Sequence, residues 1–221
     1  MEDKANIEDL KTKIELIFGG SFDPVHQGHL NVINSLRKHF PDWSIRLLPC
    51  SVPALKEPTS ASFKQRVAML ELATKAIKGI VIDQRENDRF GKSYTLDSLK
   101  SLAKENPNVK RALVVGADTL KSMHKWFHWQ EVREYCHLIF VNRPGYDIND
   151  LAKEMKLLGF VLVKNKHELE SSQGSKYYCL IIEEKDISSS EVRSHLLNNL
   201  SVDRFIPNNV NEYIVKNKIY Q

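Results

Sequence analysis

Gly19-Gly20-Ser21-Phe22-Asp23-Pro24-Val25-His26-Gln27-Gly28-His29-Leu30 follows directly on the apolar residues 14–18. A strand that ends in two glycines, a short turn holding Pro24 and a run of helical character make the opening βα unit of a phosphate-binding sheet. Two histidines sit at the junction of turn and helix. Gly28 between them leaves out a side chain where a phosphate would come close to backbone, and the helix N-terminus adds N–H groups and a positive dipole end. The stretch reads as a polyphosphate cradle. It is neither of the two commoner cradles, because no G-x-G-x-x-G occurs. Gly91-Lys92-Ser93 imitates the end of a Walker A loop, but Glu86 stands where the first glycine is required.

The surrounding 221 residues are 42% hydrophobic and 27% charged, enough for one well-buried α/β domain and short for two. We expect a polar leader over residues 1–13 and a single domain over 14–221. No run of about eighteen apolar residues exists and the start of the chain has no apolar signal core, which points to a cytoplasmic protein without a membrane partner. Cys50, Cys136 and Cys179 are odd in number and far apart, as suits reduced thiols better than a disulfide or zinc framework. A net charge of +4 would suit an anionic substrate, yet 28 acidic residues offset 32 basic ones without long single-sign blocks. Nothing in that balance indicates a nucleic-acid partner.

Strands alternate with helices along the chain. Strand-like runs occur at residues 14–19, 44–49, 80–82, 111–116, 137–141, 161–163 and 177–182, and the run at 111–116 is the near-continuous apolar kind that parallel sheets use. Helical periodicity appears at 28–39, after the Ser62-x-x-Gln65 capping box, after Ser93-Tyr94-Thr95, at 148–158, after Ile187-Ser188-Ser189-Ser190 and after Pro207. The prediction is a doubly wound α/β fold, a Rossmann-like sheet of five or six mainly parallel strands with right-handed crossovers. The loop at 50–61 leaves the carboxyl end of the second strand, where such sheets meet ligands. The polar segment 164–176 is expected to be a mobile insertion.

Several residues carry chemistry in this frame. His26 and His29, three apart at a helix start, can both face one phosphate group, or can be turn histidines satisfied by backbone. Asp23 is either part of that site or only a turn residue before Pro24. Ser188, Ser189 and Ser190 with Arg193 read as a second anion site across the crevice; the competing reading is a serine N-cap with a surface arginine. Asp118, after Gly116, is placed to accept from a ribose hydroxyl or to cap a helix. Trp126 could stack on an electron-poor ring, while Phe127 and Trp129 could equally be core. His124 and His128 have i, i+4 spacing for a metal pair, but no third ligand is evident and no protein metal site is expected. Arg143 either reads an anion or pins the turn before Pro144.

Taken together, the 19–30 stretch, Ser93-Tyr94-Thr95, Gly116-Ala117-Asp118, Trp126 with Trp129, Arg143-Pro144-Gly145 and Ile187-Ser-Ser-Ser-Glu-Val-Arg193 resemble bacterial nicotinate-nucleotide adenylyltransferases, in order and at matching spacing. The H-x-G-H signature alone would indicate only the wider nucleotidyltransferase superfamily. The resemblance implies transfer of AMP from ATP to nicotinate mononucleotide with release of pyrophosphate, with Mg²⁺ carried by ATP and no covalent enzyme intermediate. It assigns catalysis to His26, His29, Lys56 and Arg193. It assigns ATP binding to Gly19, Gly20, Gly28, His29, Gly116, Asp118, residues 187–190 (Ile187, Ser188, Ser189, Ser190) and Arg193. The mononucleotide falls to Ser21, Phe22, Lys56, Ser93, Thr95, Trp126 and Arg143. Lys56 would otherwise be an ordinary surface lysine, and the chain departs from similar enzymes in having Leu55 where they often carry histidine. Homo-oligomerisation is left open. The rival readings are a phosphopantetheine adenylyltransferase or cytidylyltransferase, and a nucleotide sensor without turnover.

Overall fold

The computed structural model describes residues 14–142, 148–183 and 185–221, without the side chains of residues 117, 118, 121, 142 and 148–151. Arg143 lies outside the described residues. In chain order the elements are β1 (Glu15–Gly20), α1 (Gln27–His39), β2 (Ser44–Pro49), α2 (Phe63–Thr74), β3 (Ile80–Ile82), α3 (Thr95–Glu105), β4 (Arg111–Gly116) and α4 (Ala117–Ser122). There follow α5 (Val132–Tyr135), β5 (His137–Asn142), α6 (Ile148–Leu157), β6 (Val161–Leu162), β7 (Lys176–Ile181), α7 (Ser189–Leu197) and α8 (Asn208–Lys216).

The strands form one sheet in the order β3-β2-β1-β4-β5-β7-β6, and every pairing is parallel. The sheet is therefore wider than the five or six strands expected, because the two-residue β6 does pair, Val161 with Lys176 and Leu162 with Tyr177. Alternation along the strands sends Leu16, Ile45, Leu47, Ala112 and Val114 to one face, packed with apolar side chains of α1, α2, α7 and α8. Ile17, Leu113, Val115, Leu138 and Phe140 go to the other, packed with α3, α5 and α6. The segment after β6 is not an unstructured insertion. It forms a 3-10 helix over Lys166–Ser171, capped by Asn165, whose Oδ1 accepts from His167 N–H at 3.0 Å, and pinned by the fully buried Leu169. Among the described residues no helix is long and apolar enough to cross a membrane.

Two features of the sheet position the site. The strand order reverses between β1 and β4, the switch point where open α/β sheets bind ligands. There the two strands pair only from Glu15 with Arg111 to Ile17 with Leu113, so their last three residues part and open a crevice between Gly20 and Gly116. The amino ends of the same strands are held by buried charge. Arg46 on β2 pairs with Glu15 on β1 and with Asp83 beyond β3, both at 2.7 Å. Asp83 also binds Arg85 at 2.7 Å, and the two arginines with a backbone N–H hold its carboxyl below its usual range against the cost of burial.

Candidate active site

The crevice holds two confluent cavities of about 600 and 500 Å³, within the range of nucleotide-sized sites, and both are bounded by Gly19, Gly20, Ser21, Lys56, Val114, Gly116 and Thr119. The first contains the cradle. His26 is the N-cap of α1 and His29 its third residue, and the His26 N–H donates to His29 Nδ1 at 3.3 Å. An accepting Nδ1 places the proton of a neutral His29 ring on Nε2, leaving a donor on the other edge. The two imidazoles lie against each other with centroids 3.7 Å apart and planes tilted by 33°. Phe22, only 1% exposed and in the left-handed region at φ 48, packs its ring 5.0 Å from His29 and edge-on to Phe18, so it supports the histidine from below. Gly28 has a different reason from the one its sequence position suggested. A Cβ there would stand 3.0 Å from the His26 ring and 3.5 Å from Ile187 O, so the missing side chain makes room for imidazole.

The far wall of this cavity is the start of α7. Ser188 Oγ caps the helix by accepting from Glu191 N–H at 3.1 Å, and Ser189 Oγ donates to Pro24 O at 3.0 Å. Two hydroxyls expected to meet an anion are thus engaged in building the wall; with the Glu191 N–H capped, the Ser189 and Ser190 N–H groups are those of the first turn left to present positive charge. Arg193 donates from Nη1 to Asp23 O at 2.7 Å and from Nη2 to Ser190 Oγ at 3.4 Å, and lines the cavity with Lys185. The serine cap of the competing reading exists, and Arg193 lines the cavity.

Asp23 is more than a turn residue. It is 4% exposed; Oδ1 accepts from Ala61 N–H at 3.0 Å and from Tyr220 O–H at 2.7 Å, and Oδ2 accepts from Ser60 N–H at 2.8 Å. Burial first and then the Asp23 carboxylate push the Tyr220 phenol well above its usual range, so the hydroxyl stays a donor.

The second cavity has an aromatic wall. Trp126, half-buried against the core, stands beside Phe127, which is 44% exposed and stacks on Tyr94 at 4.5 Å; Trp129 packs with the core cluster. Thr95 opens α3 in the same cavity, beside Leu55, Lys92, Ser93 and Lys125. Ser93 Oγ accepts from Ser51 N–H at 3.1 Å and Val52 N–H at 3.2 Å, which ties the 50–61 loop to α3. Cys50 lines this cavity, and its thiol is pushed up to about 11, by burial first and the Glu86 carboxylate second. Asp118 lies in the first turn of α4, capped by Gly116, and its side chain is outside the described part. His124 and His128 do not share a helical face: a 3-10 turn ends at Lys125, and His128 sits at φ 46 with Nδ1 2.9 Å from Glu131.

A family model described as cytidylyltransferase-like matches residues 17–195. A probable nicotinate-nucleotide adenylyltransferase of Pseudoalteromonas atlantica is 36% identical over 206 residues, covering 93% of this chain and 94% of that protein. Another, of Psychromonas ingrahamii, is 34% identical over 217 residues, covering 96% and 100%. The chain belongs to the nicotinate-nucleotide adenylyltransferase family. The fold agrees: the structure of Plasmodium falciparum nicotinic acid mononucleotide adenylyltransferase complexed with NaAD matches with a TM-score of 0.71 at 20% identity, over 93% of this chain and 96% of that one.

Sequence reading of this adenylyltransferase chain passed over one residue that the structure puts at the base of the site. Arg66 on α2 is fully buried, with Nη1 donating to Ser21 O at 2.6 Å and Cys50 O at 2.7 Å, Nη2 to Ser51 O at 3.3 Å and Nε to Ala61 O at 3.3 Å. Its sequence signal was weak: Arg66 adjoins the apolar Val67, Met69 and Leu70, but the helix also carries Lys64, Gln65 and Glu71, so nothing local marked this one charge as buried.

Proposed function

We propose that this chain transfers AMP from ATP to nicotinate mononucleotide, giving nicotinate adenine dinucleotide and pyrophosphate, in the cytoplasm. The observation that carries the reading is the pair of confluent cavities, one lined by histidines, an arginine and a helix N-terminus, the other by an aromatic wall. ATP lies in the first, with its polyphosphate between α1 and α7. His29 Nε2–H, His26 and Arg193 hydrogen-bond the β- and γ-phosphates as charge moves onto the leaving pyrophosphate. The adenosine runs past Gly116, where a Cβ would meet nothing within 4 Å, toward Asp118. The mononucleotide lies in the second cavity with its ring on Trp126 and its substituent near Ser93, Thr95 and the start of α3. Its phosphate oxygen then attacks the α-phosphate in line, and Lys56, common to both cavities, neutralises the two phosphate groups at their meeting point.

No protein nucleophile is required, and Cys50, held as a thiol, is not one. Among the described residues no group of three or more His, Cys, Asp or Glu side chains could hold a metal ion. Asp23, the acid nearest the cradle histidines in sequence, has both oxygens engaged. Mg²⁺ bound by the triphosphate and water therefore fits the site, supplying charge neutralisation there. The test is pyrophosphate release with ATP, Mg²⁺ and, separately, nicotinate mononucleotide, its amide counterpart or phosphopantetheine. Turnover with the first is expected; none with either pyridine nucleotide would refute the reading, and turnover with phosphopantetheine alone would replace it.

A further inference from the structure

The 50–61 loop is fixed at both ends and carries Lys56 between them. At its start, Cys50 N–H donates to Gly20 O at 2.9 Å, and Ser93 takes the N–H groups of Ser51 and Val52. At its close, Asp23 takes the N–H groups of Ser60 and Ala61. The Arg66 side chain reaches both ends, through the carbonyls of Cys50 and Ser51 on one side and Ala61 on the other, and it also holds Ser21 O just past β1. The Ala61 residue accepts from Arg66 and donates to Asp23, so it bridges the buried cation and the buried anion. A planar fork of five donors can meet carbonyls in several directions at once; an ammonium cannot reproduce that spread.

We propose that Arg66 is a positioning residue for adenylyl transfer, which gathers both ends of the 50–61 loop onto the end of β1 so that Lys56 stands where the two cavities meet. The proposal rests on the adenylyltransferase reading above. Arg66 touches neither substrate; it acts through Lys56, and its loss is therefore felt only while Lys56 is present.

The experiment is a double-mutant cycle on pyrophosphate release with ATP and nicotinate mononucleotide. Lys56→Ala should lower kcat about a hundredfold, the scale for removing one preorganised donor of positive charge. Arg66→Lys, which keeps the charge and loses the fork, should lower kcat about tenfold by misplacing the loop. With both changes, kcat should fall within about twofold of Lys56→Ala alone, the tolerance expected of such cycles. A further tenfold loss in the combined variant would overturn the proposal, as would near-native turnover of either single variant. Cooperative thermal melting establishes that each variant folds. If neither Arg66→Lys nor Arg66→Gln melts cooperatively, Arg66 is a determinant of the fold and the positioning role is overturned. Absence of turnover in the unsubstituted protein is a distinct result, since it refutes the proposed reaction itself before any variant is compared.

Discussion

The replacement Gly28→Ala separates the needs of the helix from those of the chemistry. Alanine in place of glycine inside a helix is worth up to about 1 kcal/mol of stability. Against that, the new Cβ would lie 3.0 Å from both Cε1 and Nδ1 of His26, where ordinary contact begins at 3.4 Å. The ring must give by about 0.4 Å, or turn off its rotamer at about 0.5–1.5 kcal/mol. It cannot simply move away from the new methyl toward His29, whose ring centroid is already 3.7 Å away. These terms nearly cancel, so the unfolding free energy should change by less than about 1 kcal/mol. Catalysis has no compensating gain. A 1 Å misplacement can cost about a hundredfold, so a shift of this size should lower kcat about tenfold, equivalent to about 1.4 kcal/mol. Urea unfolding and initial rates of pyrophosphate release on the same preparation measure both quantities. A variant of native stability with kcat within about twofold of wild type would refute the reasoning, because His26 would then not need the space that Gly28 leaves.

Trp126→Ala should raise KM for the mononucleotide about tenfold while leaving KM for ATP little changed, as loss of a ring stack worth about 1–1.5 kcal/mol predicts; equal effects on both would make Trp126 a core residue only. Cys50→Ser should retain turnover, and Cys50 should react slowly with iodoacetamide at pH 8, since a thiol pushed up to about 11 is almost wholly protonated there. Stability should fall on acidification below about pH 6.5. Burial holds His137 below 6.5 in the folded chain, and burial with Lys166 does the same for His39, so the unfolded chain takes up protons first. The slope, up to about 1.4 kcal/mol per pH unit for each such group, should flatten in His137→Gln, and urea midpoints at pH 7.5 and 5.5 measure it. Arg46→Ala removes the closest partner of the buried Glu15 carboxylate and one of the two arginines on Asp83, which Arg85 still holds, and should cost about 3 kcal/mol of stability, read from urea unfolding at pH 7.5.

Most of the frame was legible because its signals are local. The two glycines ending β1, the helical run after them, the Ser62 capping box and the apolar run of β4 each announce an element within a few residues. The histidines, Trp126 and Arg193 were read from local sequence and Lys56, Ser93 and Thr95 from the family resemblance, and all of them line the two cavities of the crevice. What stayed hidden depends on pairs distant in sequence. Asp23 was left open between site and turn residue because its partners, Ser60, Ala61 and Tyr220, are 37, 38 and 197 residues away. Ser93 carried the right hydroxyl, but only the fold shows its oxygen accepting the N–H groups of Ser51 and Val52, some forty residues earlier; the Ser188 cap was one of the two readings the sequence left open. The His124 and His128 pair was set aside on sequence for want of a third ligand, and the fold adds a second reason, since i, i+4 has meaning only on a continuous helix and the 3-10 turn ends at Lys125.

The hydrogen bond from Tyr220 to Asp23 also sets an order of events during synthesis. The cradle turn leaves the ribosome early, and the hydroxyl that satisfies its buried aspartate is made 197 residues later. At translation rates of about 5–20 residues per second, Asp23 waits on the order of ten seconds or more with one acceptor unfilled. The sheet and the 50–61 loop can assemble in that interval, with Ser60 and Ala61 already supplying two of the three bonds that Asp23 accepts. A chain cut before Tyr220 would keep every motif residue described above and lack only the third.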